Sequence, residues 1–173
     1  KNWAYQQFDA YGPDTFDIGI GWTPMGHSPA AALGVKLARP DRPVVAFVGD
    51  GSFQMVPWAL STAVDYDIPI AVVIFNDQAY GAVRDIQKGD YDKRYISVDF
   101  KLDRTGELFN PDFARMADVY GARGERVEKP GELGPALRRA LASGRPYVLD
   151  VILDREGTFP VAKQRAFRYP PEY

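Results

Sequence analysis

A carboxylate stands between two glycines in Gly49-Asp50-Gly51-Ser52, directly after the apolar run Val44-Val45-Ala46-Phe47-Val48. Glycines on both sides let the backbone turn tightly and let a ligand approach it closely. A following helix would offer free N–H groups and the positive end of its dipole to a phosphate. Asp50 is poorly placed to face that phosphate directly, because the two charges repel. It is well placed to hold a divalent cation that bridges to a diphosphate. Mg²⁺ suits the role, since it takes few protein ligands and fills its shell with phosphate oxygens and water. A second ligand should come from the end of the neighbouring strand. The next apolar run, Ile70 to Phe75, ends in Asn76-Asp77-Gln78-Ala79-Tyr80-Gly81, which places two oxygen-bearing side chains there.

These groups need rigid elements behind them. Val44 to Val48 and Ile70 to Phe75 read as strands buried on both faces, the habit of a parallel sheet. Further strands are expected at Thr15 to Ile20, Ala122 to Val127 and Tyr147 to Leu153. Helices are expected at Ala30 to Ala38, Pro57 to Tyr66, Tyr80 to Lys88, Pro111 to Tyr120 and Glu132 to Ala142. For the fourth, Asn110 reads as the N-cap, Pro111 as the first helical residue and Gly121 as the stop. Alternating strands and helices predict an α/β domain in three layers, α/β/α, around a mainly parallel central sheet. Ligands of such sheets sit beyond the carboxyl ends of the strands. Gly89 to Asn110 fits neither element type, and a loop of that length is usually functional or mobile. The domain is expected to span residues 1–156. Residues 157–173, rich in proline and aromatics, read as a C-terminal arm or tail.

Composition narrows the chemistry. The chain has 173 residues, enough for one domain with a real core. A net charge of −2 gives no reason to expect nucleic acid or an anionic membrane as partner. No cysteine is present and His27 is the single histidine, which removes thiolate metal sites and most zinc sites. No apolar run approaches the roughly 20 residues of a membrane span. No signal peptide is visible, so a cytoplasmic setting is expected. There is no phosphate-binding GxxxxGK[ST] loop. Gly19-Ile20-Gly21-Trp22-Thr23-Pro24 and Gly49-Asp50-Gly51-Ser52-Phe53-Gln54 both lack the third glycine of a dinucleotide fingerprint, which disfavours a nicotinamide oxidoreductase. The start at Lys1, straight into the dense Trp3 to Phe8 stretch, reads as a cut inside a longer polypeptide.

Gly49-Asp50-Gly51-Ser52, with Asn76-Asp77 placing Asp77 27 residues after Asp50, resembles the GDG…NN signature of thiamine-diphosphate enzymes. The subgroup it most resembles is the acetolactate synthase, pyruvate oxidase and benzoylformate decarboxylase superfamily. Met25-Gly26 with Ala31-Ala32-Leu33-Gly34 is similar to that family's MGxxxxAAxG stretch. Ala38-Arg39-Pro40-Asp41-Arg42 is similar to its lead into the metal strand. Asn110-Pro111-Asp112-Phe113-Ala114, running to Tyr120-Gly121-Ala122, is similar to its NPDFxxxAxxYGA stretch, and Gly144-Arg145-Pro146 to the approach to its last strand.

The resemblance implies roles residue by residue. Asp50 and Asp77 would be the side-chain ligands of Mg²⁺, with the backbone carbonyl of Ala79 as a third. The family usually has asparagine where Asp77 stands. Asn76 would brace the turn. Gly49, Gly51 and Ser52 would meet the diphosphate. Met25 would be the apolar wedge that bends thiamine diphosphate, with Trp22, Thr23 and Pro24 near its pyrimidine. Tyr80, Gly81, Ala82 and Val83 would complete the cofactor site, and Ile86 would line its wall. Acetolactate synthases that handle branched-chain precursors carry tryptophan in place of Ile86. Simpler roles compete at several positions. Asp50 or Ser52 could cap the next helix, and Met25 could be a core residue. His27 could serve as acid or base, or face a neighbouring domain.

The implied activity is a thiamine-diphosphate and Mg²⁺ dependent C–C lyase or carboligase acting on a 2-oxo acid or related acyl donor. A simple 2-oxo acid decarboxylase, a 2-hydroxyacyl-CoA lyase type of enzyme and a non-catalytic cofactor-binding module are the alternatives. In this family a glutamate on a pyrimidine-binding domain starts deprotonation of the cofactor. Glu107, Glu125, Glu128 and Glu132 lie in the wrong sequence context for it. That domain, from a longer parent chain or a separate subunit, is therefore an expected partner, in a homodimer or homotetramer.

Overall fold

Two runs of β-branched and aromatic residues form the centre of the sheet in the computed structural model, which describes residues 7–19 and 22–157. They are β1 (Val45–Gly49) and β2 (Ala71–Asn76). With β3 (Arg123–Val127) and β4 (Tyr147–Ile152) they make a four-stranded, wholly parallel sheet in the order β1-β2-β4-β3. Side chains alternate along each strand, so β2 serves two cores. Val72 and Ile74 join Ala46, Val48 and Val148 against Ala32, Leu60, Ala63, Phe113 and Ala117. Those partners lie on α1 (His27–Ala38), α3 (Ala59–Asp65) and α5 (Phe113–Val119). Ala71 and Val73 turn the other way, with Leu149 and Val151, onto Ala136 and Ala140 of α6 (Pro130–Ala142). The three layers expected from the sequence are present, with helices on both faces.

Two short helices follow the strands that carry the acidic groups. A single turn, α2 (Asp50–Phe53), follows β1, and α4 (Gly81–Asp90) follows β2. The four residues of α2 are too few to build much of a macrodipole, so the phosphate-facing helix expected from the sequence is reduced to individual N–H groups.

Several boundaries differ from expectation. Thr15 to Gly19 forms no strand, and Ile20 lies outside the described residues. Among the described residues no strand lies beside this segment, and its Phe16 instead stacks on Phe8 at 4.8 Å. The cap of α5 is Asp112, whose carboxylate accepts the Arg115 N–H at 3.0 Å, and not Asn110. Gly121 does end that helix region, at φ +79°. Helix α6 begins two residues early, because Pro130 at its first position needs no N–H donor. The arm expected at residues 157–173 lies outside the described residues except for Gly157, and Trp3 and Gly21 lie outside them too. No helix among the described residues is long and apolar enough to cross a membrane.

One glycine fixes how α5 meets the sheet. A Cβ on Gly124 of β3 would land on the backbone of Ala114. Backbone cannot swing aside as a side chain can. Gly124→Ala is therefore expected to destabilise the fold by about 3 kcal/mol, the upper range of overpacking. The check is the denaturant midpoint. A loss below about 0.5 kcal/mol, typical of an indifferent surface change, would mean that α5 is free to shift.

Candidate functional site

The carboxyl ends of the adjacent strands β1 and β2 bring Asp50 and Asp77 together. Asp50 is buried, at 1% exposure. Its Oδ1 accepts the Gly51 N–H at 2.8 Å and its Oδ2 accepts Nδ2 of Asn110 at 2.6 Å. The Gln78 N–H reaches the same carboxylate from the β2 turn. Gln78 takes φ +55°, a left-handed conformation that sharpens this turn. Despite these donors, burial first and the neighbouring Asp77 carboxylate second push Asp50 up to a pKa of about 7. Burial likewise raises Asp77, against an N–H bond from Ala79 and the charge of Arg155. Two carboxylates held in mutual repulsion are what a cation would relieve.

The backbone carbonyl of Ala79 is the third donor that the family resemblance implies. The segment 97–101 runs back antiparallel beside 78–80, with the Tyr80 N–H on the Val98 carbonyl at 2.8 Å and the Phe100 N–H on the Gln78 carbonyl at 2.9 Å. That pairing leaves the amide groups of Ala79 facing the other way, where its N–H donates to Asp77. Two carboxylates and one carbonyl are hard oxygen donors that fit Mg²⁺. No group of three or more His, Cys, Asp and Glu side chains gathers among the described residues, so a diphosphate and water would have to fill the rest of the shell.

The glycines of the turn are used differently. A Cβ on Gly49 would meet nothing within 4 Å, which leaves open the side from which a diphosphate could approach. A Cβ on Gly51 would strike the rings of Tyr80 and Phe100 at 2.8 and 2.9 Å. Those rings pack edge to face at 4.8 Å and hold the turn from the side of the 97–101 segment. Gly81 lies so close to Asp77 that a Cβ there would fall on its carboxylate. The Ser52 hydroxyl accepts the Gly26 N–H at 2.8 Å, so it ties the Met25 loop to the Asp50 turn and keeps its own proton to donate. Gly26 sits at φ +85°, and a Cβ there would meet Val56 at 2.7 Å.

Met25 is 47% exposed beside that tether, so it is not a core residue. Trp22 is 95% exposed. Thr23, at φ +44°, and Pro24 are exposed with it. Ala82, Val83 and Ile86 lie exposed on α4. His27 is not drawn to the acidic pair. Its Nε2 lies 3.6 Å from Oδ2 of Asp17, and its ring packs against Gly19.

The region 89–110, unassigned from the sequence, is held by charge. Buried Arg84 pairs with Asp99 at 3.1 Å and with Glu156 at 2.8 Å, and covers the Tyr95 ring at 4.5 Å. Arg155 and Lys101 also reach Asp99, at 2.5 and 3.1 Å. This anchoring delivers Asn110 to Asp50. Neither the cap expected at Asn110 nor its place in the Asn110-Pro111-Asp112-Phe113 stretch points to this contact with Asp50, and the cap itself is Asp112. Asp150 is a further polar residue of this region, and its sequence signal is a carboxylate inside Val148-Leu149-Asp150-Val151-Ile152, out of place in a strand buried on both faces.

The raised acids predict a pH dependence. Asp50 titrates near 7 in the folded chain and near 3.8 as an ordinary carboxyl. The folded state thus holds this proton more tightly, and its stabilisation is complete below 3.8 and lost as pH rises through 7. Asp77 and Asp150 are shifted the same way by burial. In chelator, the gap in thermal midpoint between the parent and Asp50→Asn should swing against the parent from about pH 5.5 to pH 8. Saturating Mg²⁺ should remove the swing. A gap independent of pH would show that Asp50 is an ordinary surface-like acid.

Comparison with known proteins shows the family. Residues 1–151 match the family model described as thiamine pyrophosphate enzyme, C-terminal TPP binding domain; thiamine pyrophosphate is thiamine diphosphate. The chain is 36% identical over 152 residues to a probable acetolactate synthase large subunit of Methanococcus aeolicus, covering 88% of this chain and 24% of that protein. It is 31% identical over 157 residues to a sulfoacetaldehyde acetyltransferase of Alcaligenes xylosoxydans xylosoxydans, covering 88% and 24%. The chain thus spans about a quarter of the length of these relatives. Among solved structures it is similar to the Rhodococcus jostii RHA1 thiamine diphosphate-dependent 4-hydroxybenzoylformate decarboxylase, with a TM-score of 0.61 and 32% identity over 72% of this chain and 23% of that one. An acidic turn pair at adjacent strand ends, in a parallel sheet whose sequence matches the family model nearly end to end, makes this chain a member of the thiamine pyrophosphate enzymes, matched over their C-terminal cofactor-binding domain.

Proposed function

We propose that this chain holds the diphosphate and Mg²⁺ end of thiamine diphosphate in a lyase or carboligase that acts on a 2-oxo acid or related acyl donor. The observation that carries the reading is the buried Asp50 beside Asp77, two carboxylates raised by burial at adjacent strand ends, with the Asp77 charge raising Asp50 further. Asp50, Asp77 and the Ala79 carbonyl would hold the ion, and the ion would carry the diphosphate past charges that otherwise repel it. The open side of Gly49 and the free proton of Ser52 would receive the phosphate oxygens. Met25, exposed on the loop that Ser52 tethers, would press on the cofactor and keep it bent. Once bound, the cofactor supplies a nucleophilic carbon and an electron sink for cleaving or joining bonds next to a carbonyl. The chain's own work is to bind, orient and shield it. A pyrimidine-binding domain would supply the remaining wall and the proton-transferring carboxylate, and the resemblance favours a homodimer or homotetramer.

The test is to assay the complete enzyme on a panel of 2-oxo acids with and without the cofactor and Mg²⁺. Consumption should require both, and carbon dioxide with or without a C–C coupled product separates decarboxylase from carboligase. Met25→Ala should keep cofactor affinity within about threefold and lose at least tenfold in turnover, because bending matters most at the transition state. Consumption without the cofactor would refute the reading.

A further inference from the structure

The acidic pair is not held by its own turns alone. Asp150 lies in the middle of β4, at 0% exposure. Its Oδ1 accepts Nδ2 of Asn76 at 2.8 Å. Oδ1 of Asn76 accepts Nδ2 of Asn110 at 2.9 Å, and the same Nδ2 donates to Oδ2 of Asp50 at 2.6 Å. Oδ1 of Asn110 faces outward and accepts Nε2 of Gln54 at 3.1 Å. Four side chains from β4, β2, the 89–110 segment and the β1 turn therefore form one line.

The line has a direction. An amide has a donor end and an acceptor end, and it can turn over wherever its partners allow. In their ionised forms both ends of the line are carboxylates, which can only accept. Asp150 draws the NH₂ of Asn76 towards itself, which points the Asn76 oxygen at Asn110. That oxygen and Asp50 then both draw the NH₂ of Asn110. Neither amide can reverse without facing donor to donor or acceptor to acceptor. Asp50 Oδ2 is thereby given a fixed donor, while the Gly51 N–H fixes Oδ1. The plane of the carboxylate is set from both sides.

Burying Asp150 needs a reason. Its Oδ2 is buried without a hydrogen-bond partner, and the nearest cation, Nη1 of Arg126, stands 3.8 Å away. An apolar residue at the centre of a doubly covered strand would be less costly for folding. What the carboxylate adds is orientation of the polar line.

We propose that Asn110 and Asp150 are positioning residues that set the cation affinity of Asp50 through Asn76, so that β4, two strands away from β1, tunes the metal position. This rests on the reading of Asp50 and Asp77 as ligands of the ion. Partners that orient a metal-binding group commonly change affinity by about 10 to 100-fold when removed.

The experiment measures Mg²⁺ dissociation constants by calorimetry on the complete enzyme with saturating thiamine diphosphate, and apo thermal midpoints in chelator. Asn110→Ala should weaken Mg²⁺ by about 10-fold or more. The isosteric Asp150→Asn, which replaces an acceptor-only group by an amide that can also turn its NH₂ towards Asn76 and so no longer fixes the direction of the line, should weaken it in the same direction. The double variant should be no weaker than Asn110→Ala alone, because members of one line do not add. A purely structural role would lower the midpoints and leave the Mg²⁺ constant of Asn110→Ala within about twofold of the parent, and that result overturns the proposal. Additive losses overturn the linkage to Asp150. Asn110 is half-buried at the rim of the core, so its variant decides the matter even where Asp150→Asn does not fold. Asp50→Ala serves as reference. If the parent binds the ion, Asp50→Ala loses it and Asn110→Ala does not, this inference alone fails. If the parent does not bind the ion, the ligand assignment fails and takes the inference with it.

Discussion

Asp50→Ala is expected to reduce Mg²⁺-dependent binding of thiamine diphosphate by about a thousandfold or more. The ion is the bridge between a protein carboxylate and a diphosphate. Without Asp50, Asp77 is left to face the phosphates with a weakly held cation. Two like charges about 4 Å apart repel by about 4 kcal/mol at the dielectric of a protein surface, about three powers of ten in affinity. The variant also strands the donors of Gly51, Gln78 and Asn110, which now converge on Asp50. Calorimetric titration of the cofactor with and without Mg²⁺ checks this, and undiminished binding would sink the metal assignment. Asp77→Asn is the informative contrast. It keeps an oxygen ligand and restores the residue that the family resemblance leads one to expect. It also removes the like charge that raises Asp50. Cofactor binding should stay within about fivefold of the parent at neutral pH, and should persist to lower pH.

The parts of this architecture that were legible in the sequence are those encoded by local pattern. Strands β1 and β2 were found within a residue because they face two apolar layers and so read as unbroken apolar runs. Their carboxyl ends could then be placed side by side, which located Asp50, Asp77 and Ala79 at one edge of the sheet. Thr15 to Ile20 carries a similar mixture of apolar residues, but a strand also needs a neighbour, and that requirement is not written in the segment itself. The 89–110 region was opaque for a related reason. Its shape is set by Arg84, Asp99, Arg155 and Glu156, which meet only after β2 and β4 have paired. The polar line behind Asp50 joins residues from four separate stretches of chain, so no spacing rule could reveal it. Asp150 alone left a visible mark, as a charge in the middle of an apolar strand.

The second large effect is expected from the chain expressed alone, which should turn over 2-oxo acids at least about a thousandfold more slowly than the complete enzyme. The structure gives two reasons. First, the chain has no free glutamate for the cofactor among its described residues. Glu125 binds Arg139 and Tyr147, Glu128 binds Arg126, Glu156 binds Arg84, Glu132 caps α6 and Glu107 pairs with Thr105. Asp50 and Asp77 are the candidates for the ion and cannot also move a proton to the cofactor's far end. Second, the groups around the acidic turns are left facing solvent. Trp22, Met25, Val83 and Ile86 are 95%, 47%, 47% and 47% exposed, apolar surface of the kind that marks an unpaired contact face. An open site leaves charged species hydrated and lets water reprotonate the reactive carbon, so the electrostatic gain of a dry pocket is lost. Adding the proposed pyrimidine-binding domain or subunit should bury this surface and restore turnover. The measurement is steady-state consumption of a 2-oxo acid by residues 1–173 with thiamine diphosphate and Mg²⁺, alongside the chain's mass in solution. Turnover on the order of 1 s⁻¹, an ordinary enzymatic rate, from a monomer with nothing added would place the proton-transferring group within this chain and overturn the division of labour proposed for it.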